Sequence, residues 1–528
     1  MNPARLLLLV AITSLTLNAA GEFHPIFESG EIDRPAETSE NPSDKLDRLV
    51  FAQLDRLGLK PANRCSDAVF LRRAYLVTIG TLPREDETRD FLASTDESKR
   101  ILLVENLLSR PEYADYWAMK WADILRVKAE FPIKLWPNAV QIYHQWIHAS
   151  VRENKPFHQF TQELLVGSGS NFREGQVNFY RAMQDRTPRG MAATVALTFM
   201  GERAEKWPER KLDAMAGFFA NVAFKSTAEW KEEIVYFDPT ADKDGLFKNA
   251  IFPDGTPVKL DPGKSDPRVV FASWLLRPEN PWFSRCAANR VWTWLLGRGI
   301  VHEPDDFRPD NPPSNPELLA FLEQEFITSR CDMKHLIRVI LNSRTFALSS
   351  IPAQDTPEAA AQFAHYPLRR IEAEVLIDAL NQITETKESY SSPIPEPFTF
   401  IPDDVRGIAL PDGSITSSFL ELFGRPPRDT GYQLERSLDN NAAQRLHLLN
   451  SSHIQKKIEA SPLVAKASDE ELSSLAENAY LTILSRFPSV EEIATLKSYI
   501  DADNPPGRAV ASDLVWTLIN QPEFFHNH

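Results

Sequence analysis

Two stretches in the C-terminal half hold the side chains best suited to chemistry. The first, NRVWTWLLGRGIVHEPDDFRPDNPPSNPE, gathers Asn289, Arg290, Arg298, His302, Asp305, Asp306, Arg308, Asp310 and Asn311. Adjacent carboxylates flanked by Arg and His suit acid/base work or cation binding. Neighbouring side chains usually point apart, so the stronger reading has Asp305 and Asp306 capping or bracing a loop against Arg308. The second stretch, FGRPPRDTGYQLERSLDNN, sets Arg425, Arg428, Asp429, Glu435 and Arg436 around a double proline. Arginine forks suit sulfate or carboxylate groups, and the competing reading is an ion-pair network that pins the loop. Together with Arg369, Arg370 and Glu372 of YPLRRIEAE, these segments are candidates to line one cleft. The catalytic candidates are Asp305, Asp306, Arg308 and Glu435. The ligand-binding candidates are Asn289, Arg290, Asn311, Arg369, Arg370, Arg425, Arg428, Asp429 and Arg436.

Other motifs read as structure. His144 and His148 in YHQWIH share one helix face, but Gln145 stands where a zincin needs Glu, so no metal site is expected. DPTADKDG (238–245) resembles a calcium loop. Aligning Asp242, Asp244 and Gly245 with that motif puts Thr240 first and Ile251 last, so the bidentate carboxylate is missing and an acidic turn is expected. Ser168 in VGSGSN lacks a strand-elbow-helix context and does not match Gly-x-Ser-x-Gly. Tyr116, Trp117, Trp121, Trp136, Tyr143 and Trp146 crowd one stretch and could stack on sugars. The helical spacing of Trp117 and Trp121 points first to core packing.

The elements that must position these groups are mainly helices. The chain has 528 residues, with 39 Pro against 20 Gly. Proline in excess fits helices separated by marked breaks, not a turn-rich β-sandwich. A net charge of −15 excludes a general nucleic-acid binder. Three Cys cannot build a disulfide framework. They leave open one disulfide with one free thiol, or three buried thiols. Residues 1–21 read as a secretory signal peptide: Arg5, the short apolar run LLLLVAITSLTL, then Ala19, Ala20 and Gly21. Export to the periplasm or beyond is therefore expected, with no membrane span after cleavage. Beyond it come a flexible leader (22–43), a helical domain (44–229), an extended insert (230–266) and a second helical domain (267–528). Residues 393–427 form a long Pro-rich irregular segment, the kind of loop that often carries function.

The two ends repeat one another. AYLVTIGTLP (74–83) matches AYLTILSRFP (479–488), each followed by an acidic helix start. LLVENLLSRPEY (102–113) matches DLVWTLINQPEF (513–524), and HLIRVILNSRTF (335–346) is a looser third copy. The fold expected is mainly α: two helical domains, a short extended insert between them, and a duplicated helical-hairpin unit at both ends.

The block FLRRAYLVTIGTLPREDETRDFLA, with RPEYADYWAMKWADILR after it, resembles the bacterial domain of unknown function 1549. The C-terminal half resembles its usual companion, number 1553, through DPRVVFASWLLRPENPWFSRCAANRVWTWLLGRGIVHEPDDFRPDNPPSNPELL, YPLRRIEAEVLIDAL, FLELFGRPPRDT and LERSLDNNAAQRLHLLN. The resemblance implies an exported protein, often encoded beside sulfatase-like proteins in polysaccharide-rich neighbourhoods, with no activity established. A sulfatase-like exported protein or an envelope polysaccharide is the partner it implies. One departure matters. Members commonly carry Cys-x-x-Cys-His after an FLG-like stretch, whereas here Met200-Gly201 runs straight to Glu202 and Trp207. Haem attachment through that motif is excluded, and no cofactor is expected. The expected function is an envelope binding or assembly protein associated with polysaccharide handling. The alternative is a hydrolase or other carbohydrate-active enzyme on glycans, sulfated ones among them, working through the Arg/Asp/Asn-rich loops. An enzyme should gather its candidate side chains in one open pocket. A binding protein should show them dispersed or paired off.

Overall fold

The computed structural model describes residue 8 and residues 24–242, 245–260, 266–467, 472–503 and 505–528. The signal peptide expected at 1–21 lies outside the described residues apart from Leu8. Proline and capping side chains start many of the helices. In α1 (Pro42–Leu57) the Asn41 side chain accepts from the Ser43 N–H at 2.9 Å, and Gly58 at φ 68° ends the run. Ser66 caps α2 (Asp67–Thr78). Then follow α3 (Glu85–Ala93), α4 (Lys99–Ser109), α5 (Pro111–Ile124), α6 (Pro137–Arg152), α7 (Phe157–Val166), α8 (Pro188–Val195) and α9 (Glu209–Ala216). The second half opens with α10 (Pro267–Leu275), α11 (Phe283–Leu296) and α12 (Pro316–Thr328), the last capped by Asn315. It continues through α13 (Met333–Leu341), α14 (Ala373–Thr384), α15 (Ala442–Asn450), α16 (Ser452–Ala460), α17 (Leu472–Leu484), α18 (Val490–Asp503), α19 (Gly507–Ile519) and α20 (Pro522–Phe525).

Strands are few. β1 (Glu28–Gly30) pairs with β2 (Arg64–Cys65), so the segment read as a flexible leader is pinned to the body from its first described residues. The Ser66 hydroxyl also donates to Ile26 O at 2.7 Å. A three-stranded antiparallel sheet runs in the order β3 (Gly169–Ser170), β5 (Glu233–Phe237), β4 (Val222–Ser226). The extended insert therefore begins at Val222 instead of residue 230. The apolar run 210–222 reads as one helix. It ends at Ala216 with Gly217 as its cap, and Phe218 and Phe219 then turn inward onto Phe252 and Phe271. A last pair joins β6 (Arg369–Arg370) to β7 (His526–Asn527), tying the end of the chain to the YPLRRIEAE motif.

Trp117 and Trp121 are core residues, as their spacing suggested. Both meet Trp294 edge-on, at ring distances of 5.6 and 5.3 Å. That contact crosses between the two halves. So do α7 against α10, α1 against α12 and α3 against α17, and one hydrophobic cluster runs through both units.

The duplicated hairpin is visible in its chemistry. Gly80 and Ser485, equivalent in the repeat, both hold a left-handed backbone (φ 61° and 59°). Buried Tyr75 lies beneath Arg110, which clamps Glu87 and Glu112; buried Tyr480 lies beneath Arg486, which clamps Glu492 and Glu523. The tyrosines and glutamates are equivalent, but the two arginines enter from opposite ends of the unit. The copies touch: buried Arg72 donates to Ile483 O at 2.8 Å and Phe524 O at 3.0 Å.

The irregular 393–427 segment lashes the halves together. Asp412 accepts from the Ala129 N–H and Gly413 donates to Val127 O, both at 2.9 Å. Asp378 anchors the same segment by accepting from the Gly407 and Ile408 N–H groups at 2.7 and 3.1 Å. Burial pushes the Asp378 carboxyl up to about 6, against the pull of Arg406 and those two N–H groups. The folded chain thus holds this proton more tightly than the unfolded chain, whose carboxyl titrates near 3.8. Stability from this site is complete below about pH 4 and lost as pH rises through about 6. We expect the urea midpoint to rise on going from about pH 7 to about pH 5, and Asp378→Asn to remove part of that rise. An identical pH response in the variant would refute the assignment.

Candidate functional site

The candidate segments do converge, on a buried lattice of charges at the junction of the halves. Helix α5 presents Lys120 and Asp123 from within its aromatic face; the start of α14 presents Glu372 and Glu374. The Arg436 fork reaches both Asp123 (Nη2 to Oδ2, 2.7 Å) and Glu374 (Nη1 to Oε2, 2.6 Å). Arg428 Nε donates to the other Asp123 oxygen at 2.9 Å, and Arg425 Nε lies 3.4 Å from Glu374. Lys120 pairs with Glu372 Oε1. Burial alone would raise the Glu374 carboxyl, but Arg436 and Arg425 hold it at about 2. Burial lowers Arg425 to about 10.

The remaining sequence candidates brace backbone. Buried Arg290 donates to Asp305 at 2.9 Å and Thr198 O at 2.7 Å, and the second Asp305 oxygen accepts from the Gln433 N–H at 2.6 Å. Asn289 exchanges two hydrogen bonds with the Val301 backbone. Asn311 donates to His302 O and Asp306 O. Arg369 donates to Trp294 O and Leu295 O. Arg370 donates to Phe423 O and Ser437 O. Glu435 accepts from the N–H groups of Asp429 and Thr430, and Asp429 pairs with Lys128 at 2.6 Å. Asp305, Arg425 and Arg428 are all at least 92% buried. Of the catalytic quartet, Asp306 and Arg308 line one hollow, while Asp305 and Glu435 are committed to backbone N–H groups.

The other flagged motifs fall outside this region's chemistry. His148 pairs with Asp115 at 3.0 Å, and burial drives His144 down to about 3, keeping it neutral. Asp242 caps the turn at Leu246 and Phe247, while Asp244 of the acidic turn lies outside the described residues. The Ser168 hydroxyl accepts from Arg268. Cys65, Cys286 and Cys331 are unpaired, the first two buried. Among the described residues no three or more His, Cys, Asp or Glu gather as a metal site, and no helix is long and apolar enough to cross a membrane.

Two hollows flank the lattice. The larger is an open cleft of about 870 Å³ between the loop after α8 and the 301–320 region. Its wall carries Arg203, Lys206, Lys211, Arg285 and Arg308 against two carboxylates, Glu202 and Asp306, with Trp207 and Trp282 between them. Both carboxylates are engaged. Glu202 accepts from the indole N–H groups of Trp207 (2.8 Å) and Trp282 (2.5 Å). Asp306 sits 3.7 Å from Lys206 and 3.6 Å from Arg308. Lys211 stands 3.9 Å over the Trp207 ring. Sequence reasoning met this segment only as the place where Cys-x-x-Cys-His is absent. Its run GERAEKWPERK holds four cations against three glutamates, too balanced to mark a basic wall. The smaller hollow, about 130 Å³, lies where segments 293–304, 369–372 and 432–438 meet Lys120 and Asp123. Arg203 separates the two, pairing with Glu303 at 3.2 Å and standing 5.0 Å over the Tyr432 ring.

Fold and site define a mainly α-helical protein of two interlocked units with a basic, aromatic cleft on one face. Residues 45–222 match the family model described as Protein of unknown function (DUF1549), and residues 267–500 match Protein of unknown function (DUF1553). The chain therefore belongs to the proteins that join these two domains in this order. No curated protein and no solved structure matches it significantly.

Proposed function

We propose that this chain is an exported cell-envelope protein that binds an anionic polysaccharide in the open cleft and does not cleave it. The observation that carries this reading is the cleft wall: five cations against two committed carboxylates, interleaved with two tryptophans, on a chain whose net charge is −15. Arg203, Arg285 and Arg308 also pair with Glu303, Glu323 and Asp310 outside the lining, which leaves Lys211 over the Trp207 ring as the wall's cation without a carboxylate among the described residues. A basic cleft on an acidic protein concentrates an anionic ligand locally, and indole rings offer flat apolar surface to sugar C–H faces. Its open form suits a polymer that passes through. Glycoside hydrolysis needs a carboxylic acid and a second carboxylate placed across the scissile bond. In the cleft, Glu202 orients two indoles and Asp306 is held between two cations, which supports binding over hydrolysis. The signal-like residues 1–21 support export. The test is a panel of acidic and neutral polysaccharides assayed with the chain from Glu22 for both binding and release of reducing ends. Retention of acidic polymers without release is expected. Release of reducing ends would transfer the assignment to a hydrolase.

A further inference from the structure

The smaller hollow has the features of a built site. Three polar side-chain atoms of its lining are buried without a hydrogen-bond partner: Glu372 Oε2, Arg298 Nε and Gln433 Oε1. Glu372 is 9% exposed, and its other oxygen is taken by Lys120. Arg298 has neither a hydrogen bond nor an ion pair among the described residues, although burial lowers its pKa. Native folds pair nearly all buried donors and acceptors. Unpaired atoms occur elsewhere in this core, Arg425 Nε and Arg428 Nη2 among them, but three belong to residues lining this one hollow. Here one donor and two acceptors are left open around a single hollow. The neighbouring carboxylates Asp123 and Glu374, by contrast, are saturated by arginine.

The unpaired atoms set the chemistry of an occupant. Arg298, backed by Lys120 and Arg369, calls for an anionic oxygen; Glu372 Oε2 and Gln433 Oε1 call for hydroxyl donors. The charges lining the hollow are Lys120, Arg298, Arg369 and Arg436 against Asp123, Glu303 and Glu372. One positive charge in excess fits a monoanion, and Glu372 would repel a phosphate dianion. A water needs about 10–15 Å³ of such space, so about 130 Å³ admits on the order of ten non-hydrogen atoms. Trp294, Ile124 and Leu434 supply apolar wall for a carbon skeleton.

We infer that this hollow binds a hydroxylated monocarboxylate of single-sugar size, such as a uronate, with its carboxylate on Arg298 and its hydroxyls on Glu372 and Gln433. This site is distinct from the cleft and does not depend on the cleft's ligand. The experiment is calorimetric titration of the chain with D-glucuronate and, separately, D-glucose. Glucuronate should bind, and glucose at least about tenfold more weakly, since a hydrogen bond to a charged group contributes about 1.5–3 kcal/mol. Arg298→Ala should weaken glucuronate by about tenfold or more with an unchanged urea midpoint, because Arg298 supports no other residue. Trp207→Ala, in the cleft, should bind glucuronate as the parent chain does. Absence of binding at millimolar glucuronate would overturn the inference and mark a hollow filled by water. Equal binding by the parent chain and Arg298→Ala, or loss in Trp207→Ala, would overturn it by placing the sugar elsewhere.

Discussion

Asp123→Ala is expected to lower the unfolding free energy by about 3–5 kcal/mol, the range for removing one partner from a buried ion pair. The loss is large because, among the described residues, Asp123 is the carboxylate ion-paired with Arg428 and one of two ion-paired with Arg436. Without it the fully buried Arg428 guanidinium keeps the Pro411 carbonyl as its hydrogen-bond acceptor and has Asp412 nearby but not hydrogen-bonded to it. Adding Arg428→Met should restore part of the loss, since removing both partners costs less than orphaning one. Asp310→Ala sets the scale for an exposed pair. Asp310 is 75% exposed and meets Arg308 at 3.2 Å, so its loss should move the urea midpoint hardly at all. Equal effects at Asp123 and Asp310 would mean the lattice contributes nothing beyond surface electrostatics. The lattice also fixes the 425–436 loop that walls the smaller hollow, so Asp123→Ala should weaken glucuronate binding as well.

The second large effect concerns the cleft. Reversing two of its cations, Lys211→Glu with Arg285→Glu, should weaken an acidic polysaccharide by about a hundredfold at low salt, and by less at high salt where exposed charges are screened. Neither residue touches Asp306, whose partners Lys206 and Arg308 remain. Because Arg285 also pairs with Glu323 at 3.3 Å, the urea midpoint of the double variant is read alongside, and Lys211→Glu alone should already weaken retention. Trp207→Ala should cost about tenfold through lost stacking and apolar contact, with little dependence on salt. Affinity electrophoresis over a range of salt concentrations separates the two contributions. A charge reversal that leaves retention unchanged would remove the cleft from the account.

Helix starts were the most legible part of the fold, because each is a local bargain between one side chain and one N–H group. Ser66, and Asn315 with Pro316, act as their sequence implies, while Asn41 with Pro42 starts a helix inside the stretch read as a leader. The repeat was legible for a related reason: Tyr75 and Tyr480, Glu87 and Glu492, and Glu112 and Glu523 serve the same local unit. The strand at Val222–Ser226 was not legible. Its apolar residues continue a helical run, and the run ends at Gly217, after which Phe218 and Phe219 pack inward. The arginine-rich loops were recognised as charge clusters, yet their partners were missed. Lys120 and Asp123 sit in an aromatic helix and Glu374 in an aliphatic one, where core spacing hides a buried charge until the facing loop is known. The cleft was illegible for the opposite reason. Its cations come from 203–211, 285 and 308, segments that no local pattern connects.

On the proposed reading, the cleft holds an anionic polymer and leaves it intact. The most direct measurement incubates the chain from Glu22 with acidic and neutral polysaccharides, scoring gel retention and reducing ends on the same samples. Retention by acidic polymers that weakens with salt, none by neutral ones, and no new reducing ends are expected. Equal retention by neutral polymers, no retention at all, or a steady release of reducing ends would contradict that reading.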